Sequence, residues 1–152
     1  MSLHQQITAD LTASMKASDR PRTSALRMVV SALKNQAIAS GQGPQGTLDD
    51  AEVEKVLASE VKRRREAAAA YRDAGREEQA AAEEAEAEIY AAYLPEPLSD
   101  AELDAVVDEA IAEVGAEEPG QMGQVMKAAM PRVAGRADGS RVSARVKQRL
   151  GG

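Results

Sequence analysis

The residues able to do acid–base or covalent chemistry are few and poorly placed for it. His4 is the single histidine, and there is no cysteine. A histidine-assisted nucleophile needs its imidazole held by a third group in a rigid pocket. His4 instead reads as part of a fraying first helical turn, so it is expected to be an incidental surface residue. Zinc favours closely spaced Cys and His, which this inventory does not offer. The acids from Glu77 to Glu88 lie on an alanine-rich background. On a helix they would radiate over a broad arc, without the turns that converge ligands on a cation; a solvated face is expected. Gly41-Gln42-Gly43-Pro44-Gln45-Gly46 has glycines but no following Lys-Ser/Thr and no preceding strand, so it reads as a linker rather than a phosphate cradle. No catalytic residue, metal site or cofactor is expected.

Two basic features are more informative. Lys62, Arg63, Arg64 and Arg65 are consecutive. On a helix, successive side chains turn by about 100°, so the four cannot share one face. Glu60 and Glu66 stand close enough to neutralise part of the charge, and both a solvated helix surface and a nucleic-acid contact remain open. The second feature is the tail. Arg141, Arg145 and Arg149 recur every fourth residue beside the apolar series Val142, Val146 and Leu150. One stripe would be buried while its neighbour presents three guanidiniums outward, and arginine pairs well with phosphate oxygens. Lys127, Arg132, Arg136 and Lys147 complete a candidate nucleic-acid-binding set. The helix dipole would favour Arg149 at a C-terminus but does not account for the whole set.

The elements that must position these groups are legible as helices. Leu3, Ile7, Leu11 and Met15 mark one face of a first helix. Ser18 or Asp19 can cap a second, with Pro21 in its first turn and Leu26, Val29, Val30, Leu33 and Ala37 as its buried stripe. Leu48-Asp49-Asp50-Ala51-Glu52-Val53 and Leu98-Ser99-Asp100-Ala101-Glu102-Leu103 repeat one pattern, a capping box with a hydrophobic staple. The first opens a long helix through Val53, Val56, Leu57, Val61, Ala68 and Tyr71, closed by Gly75. Residues 76–93 read as another helix, broken by Pro95 and Pro97. Three short helices follow. One carries Leu103, Val106, Val107, Ala110, Ile111 and Val114. The next runs from about Pro119 to Met130 and is ended by Pro131 and Gly135, with Met122, Met126 and Met130 expected to fill the core. The last runs from about Asp138 to Leu150. No sustained alternation suggests a strand. The expected fold is all-α: an N-terminal helical domain over residues 1–94 and a small three-helix tail domain over 95–152.

Composition agrees. Trp and Phe are absent and Tyr occurs three times among 152 residues, so the core must be aliphatic, which suits close helix packing more than strands. The first residues lack the basic and apolar regions of a signal peptide, and no apolar run of about 18 residues suggests a membrane span; a cytoplasmic protein is expected. The net charge of −6 hides segregation. Residues 77–118 carry fifteen acids and no base, whereas 119–152 carry seven bases and one acid. Such blocks suggest that different faces meet different partners.

Several segments resemble the GatB/YqeY-like family. In the tail these are Met122-Gly123-Gln124-Val125-Met126 and Met130-Pro131-Arg132-Val133-Ala134-Gly135-Arg136-Ala137-Asp138-Gly139. In the front half they are Leu26-Arg27-Met28, Ser31-Ala32-Leu33-Lys34-Asn35, Tyr71-Arg72-Asp73-Ala74-Gly75-Arg76 and Tyr93-Leu94-Pro95. The resemblance covers nearly the whole chain. It implies a helical front domain and a tail domain like that of the B subunit of tRNA-dependent amidotransferases, part of the region that engages tRNA while other regions carry catalysis. The family label would be that of a carbon–nitrogen ligase with glutamine as amido donor, but no amidase domain or kinase-like cradle is recognisable. The expected function is a non-catalytic tRNA-binding or accessory module acting through the basic C-terminal face. The alternatives are a protein–protein adaptor using the acidic 77–118 segment and a component associated with glutamine-dependent tRNA amidation.

Overall fold

Helix starts in this chain are written as reciprocal caps. In a computed structural model describing residues 1–151, Asp49 accepts the Glu52 amide at 2.8 Å while the Glu52 carboxylate accepts the Asp49 amide at 3.3 Å. Ser99 and Glu102 do the same at 3.1 and 3.2 Å. A third box, Ser2 with Gln5, opens the first helix. Asp19 and Asp138 cap two more helices through the amides of Arg22 and Arg141. The result is seven α-helices, with no strand among the described residues: α1 (Leu3–Lys16), α2 (Arg20–Ala39), α3 (Asp50–Asp73), α4 (Glu77–Ala91), α5 (Asp100–Val114), α6 (Met122–Val133) and α7 (Gly139–Arg149). A 3₁₀ turn over Pro119–Gln121 precedes α6. Among the described residues, no helix is long and apolar enough to cross a membrane.

The contacts divide the chain into two units, Met1–Leu94 and Pro95–Gly152. In the first, α3 and α4 fold back on each other as a hairpin through Gly75. The core gathers Ile7, Leu26, Val29, Leu33, Leu48, Val53, Leu57 and Tyr90. Tyr90 is fully buried, and its hydroxyl donates to the Ala25 carbonyl at 2.7 Å, which satisfies the one polar atom of the largest core side chain. In the second unit, α5, α6 and α7 enclose Leu103, Val107, Val125, Ala129, Val133, Val142 and Val146.

Three expectations need correction. His4 is not an incidental surface residue: its Nδ1 accepts the Leu48 amide at 3.0 Å, while the Leu3 amide donates to Asp50 at 2.9 Å. The start of α1 is therefore tied to the loop entering α3 rather than frayed. Pro131 does not end α6, which continues to Val133; the stop comes at Ala134, whose φ of 51° is left-handed. A proline near a helix end removes only one ladder hydrogen bond, so the last turn survives it. Finally, the methionine series is split: Met122 and Met126 pack against the tail core, whereas Met130 is exposed.

Candidate nucleic-acid interface

Helix α7 places its arginines as its periodicity dictates. Asp138 caps it, Val142 and Val146 are fully buried, and the neighbouring stripe carries Arg141, Arg145 and Arg149. This row does not face solvent freely. Arg141 Nη2 donates to Asp100 at 3.0 Å. Arg145 grips Asp104 with two parallel bonds, Nε at 2.7 Å and Nη2 at 2.6 Å. Arg149 donates to Asp108 at 3.0 Å and lies 3.8 Å from Asp104. The three rungs advance together along α5 and α7, so the two helices run parallel and every rung joins residues 41 apart in sequence.

The remaining basic residues of the set are distributed around this ladder. Arg132 reaches the C-terminal half of α5, pairing with Glu113 and, at 3.9 Å, with Glu109; its other terminal nitrogen donates to the Ala128 carbonyl at 2.9 Å. Arg136 donates to the Glu96 carbonyl at 2.8 Å and lies 3.7 Å from Glu102. Lys127 and Lys147 are exposed and form no ion pair among the described residues. The electrostatics follow the contacts. The bonds from Arg145 hold the Asp104 carboxyl below the usual aspartate range, and Asp104 in turn raises the Arg145 guanidinium. Glu102 is held below its ordinary value chiefly by the Ser99 amide and hydroxyl, with a smaller contribution from Arg136.

The expectation that the arginines stand together on one row is met, but their display to solvent as unpaired charge is not. Residues 95–152 hold seven bases and ten acids, a net of −3. Within the tail unit, five of the seven bases pair with acids of α5. Helix pairing explains this: acids every fourth residue on α5 and arginines every fourth residue on α7 form matching edges when the buried valines bring the helices together.

The same holds in the front unit. Of the Lys62–Arg65 cluster, Arg64 turns inward and is only 12% exposed, bonded to Glu86 at 2.9 Å, 3.2 Å from Glu60 and 3.7 Å from Glu83. Its guanidinium carbon lies 5.9 Å from the Tyr90 ring centroid, within cation–π range. Arg63 is 68% exposed and pairs with Glu60; Arg65 lies 3.8 Å from Glu88; Lys62 is exposed. The four therefore do not form one face, and Arg64 is a packing element. On α4, Glu77 and Glu84 grip Arg72 at 3.0 and 2.8 Å, and Arg72 holds the Glu84 carboxyl below its ordinary value. The acidic run is thus more than a solvated face, because five of its glutamates fasten α4 to α3.

Sequence reasoning missed two features whose signals were present. Ser2-Leu3-His4-Gln5 carries the cap-and-glutamine spacing of a capping box. The spacing Asp100, Asp104, Asp108 repeats that of Arg141, Arg145, Arg149. A second polar cluster, in which Tyr93 donates to Asp10 at 2.5 Å and Arg22 donates to the Tyr93 oxygen at 3.2 Å, had no sequence signal.

Comparison with curated proteins found no match. The family model described as Yqey-like protein matches residues 4–150. With nearly the whole length covered, from the helix anchored by His4 to the last turn of α7, the chain belongs to the YqeY-like family.

Proposed function

We propose that this protein is a non-catalytic, cytoplasmic accessory module that binds tRNA, and that the arginine row of α7 is its phosphate face. The observation that carries the reading is the regular row Arg141, Arg145, Arg149 on a helix whose neighbouring stripe is buried. Family membership adds to it, through the resemblance to the amidotransferase B-subunit tail. A guanidinium has five N–H donors. Arg141 and Arg149 each give one to a tail carboxylate, and Arg145 gives two. The α5 carboxylates thus fix the forks in place and leave most of their donors for phosphate oxygens. The same carboxylates cancel the long-range field, so association is short-range and weakly steered.

Three phosphate contacts give a log–log salt slope of about −2 to −3. Fluorescence anisotropy with tRNA tests the assignment in both directions. Arg141→Ala with Arg145→Ala should weaken binding and flatten the slope, whereas Asp104→Asn, which releases the Arg145 fork, should strengthen binding. Affinity indifferent to both changes rejects the assignment. The purified chain supplied with glutamine and a mischarged tRNA should form no amide. The adaptor alternative draws less support: many carboxylates that would meet a basic partner already hold Arg64, Arg72, Arg132, Arg141, Arg145 and Arg149.

A further inference from the structure

This chain keeps its arginines for itself, with few exceptions. Ten of the thirteen pair with its own carboxylates, and Arg20, Arg27 and Arg76 alone do not, among the described residues. Two of those three, Arg20 and Arg27, line the same groove, a depression of about 620 Å³ where α1 turns into α2. No acidic side chain lines it. The nearest acid in sequence, Asp19, caps α2 by accepting the Arg22 amide at 3.3 Å. Lys16, at the end of α1, is also exposed and unpaired among the described residues. In a chain of net charge −6, this is a local concentration of unanswered positive charge.

The groove is also apolar. Met15 is 45% exposed and Met28 48%, two of the five large hydrophobic side chains that the fold leaves in solvent. Arg27 donates to the Met15 sulfur at 3.5 Å, and Arg64 to the Met28 sulfur at 3.7 Å, so the thioethers lie among guanidiniums. The floor is well defined. Thr23 lines the groove, and its hydroxyl is buried in a 2.8 Å hydrogen bond with Ser14. Ser18 at the rim holds a left-handed φ of 56°, which closes the α1–α2 turn.

We propose that the Met15–Met28 groove is a docking site for an acidic amphipathic helical segment of a partner protein. Its carboxylates would meet Arg20 and Arg27, and its aliphatic side chains would lie between the two methionines. Charge complementarity argues for this occupant, because the groove supplies the guanidiniums and none of the carboxylates that every other arginine cluster of the molecule contains. Flexible thioethers suit varied aliphatic side chains. Single-stranded nucleic acid is disfavoured because no aromatic side chain lines the groove to stack a base. The surface belongs to the front unit and the arginine row assigned to tRNA to the tail unit, so the two proposals stand or fall separately.

The test uses the full isotope-labelled chain, titrated with a synthetic Glu/Leu amphipathic helix and followed by amide chemical shifts. Shifts should cluster around Met15, Arg20, Arg27 and Met28. Arg20→Gln with Arg27→Gln should weaken binding about tenfold, as expected for two exposed charge pairs. Met15→Ser with Met28→Ser should weaken it with the charge unchanged, and far-UV circular dichroism checks that both variants fold. Arg141→Ala with Arg145→Ala should leave peptide binding intact, which separates this site from the tRNA face. Three results overturn the proposal: no groove shifts at millimolar peptide, equal binding of a Gln/Leu peptide, or displacement of the peptide by single-stranded RNA at lower concentration.

Discussion

Replacing Arg64 with methionine isolates a charged group buried between two helices, and the structure sets the size of the effect. The substitution retains the apolar stem and removes the guanidinium. The charge-assisted bond to Glu86, at 2.9 Å, contributes about 1.5–3 kcal/mol. The position over Tyr90 adds about 0.5–1 kcal/mol. Glu60, 13% exposed beside the vacated site, loses its closest cation. The total is about 3 kcal/mol. With a urea slope of about 1.5 kcal/mol per molar, the midpoint should fall by about 2 M. The assay is selective, because all three tyrosines (Tyr71, Tyr90, Tyr93) precede residue 95 and there is no tryptophan or phenylalanine. Tyrosine fluorescence therefore reports the front unit alone. Lys62→Met, two residues away and exposed, should stay within about 0.5 kcal/mol of wild type. An Arg64→Met midpoint within about 0.3 M of wild type would refute the assignment of Arg64 to α3–α4 packing.

Other expectations concern single contacts. The Asp104 carboxyl is depressed by Arg145, so the stability it contributes is present above the ordinary aspartate value of 3.8 and is lost as pH falls below it; acid denaturation followed by circular dichroism should show a shallower pH dependence in Asp104→Asn. His4→Ala leaves the buried Leu48 amide without its acceptor and should destabilise the front unit by about 1–2 kcal/mol, with faster hydrogen exchange at that amide. Ala134 holds a left-handed φ of 51°, so Ala134→Gly should raise tail stability by up to about 1 kcal/mol in thermal unfolding. Tyr90 is pushed up to about 12, chiefly by burial. The front unit should therefore lose stability between pH values of about 10 and about 12, as the unfolded chain ionises first, and Tyr90→Phe should remove that part of the loss.

Most of the helices were legible because they are specified locally. Asp49 with Glu52 and Ser99 with Glu102 are complete instructions within four residues, and the valine and leucine stripes point each helix inward. What sequence reading could not supply is which charged stripe faces which. The charge blocks at 77–118 and 119–152 read in sequence as faces for outside partners, yet the stripe opposite Arg145 is set by how Val107, Val142 and Val146 pack, a relation spanning some forty residues. His4 reads as incidental in sequence for a related reason. Its partner is a backbone amide in another segment, and a backbone amide has no sequence signature. Arg20 and Arg27 carry no sequence signal, because nothing in their spacing separates an unpaired arginine from a paired one.

The rungs between α5 and α7 each join an arginine to an aspartate and are spaced by one helical turn. Sliding α7 by a turn would re-form two of the three, so the ion pairs are nearly blind to position. The register must be read by something that does not repeat: the fit of Val142 and Val146 against Val107, and the stop imposed by the Asp138 cap. Trimming either valine should therefore do more than loosen the core. It should let the tail populate two alignments of the same charges, seen as doubled amide resonances along α7.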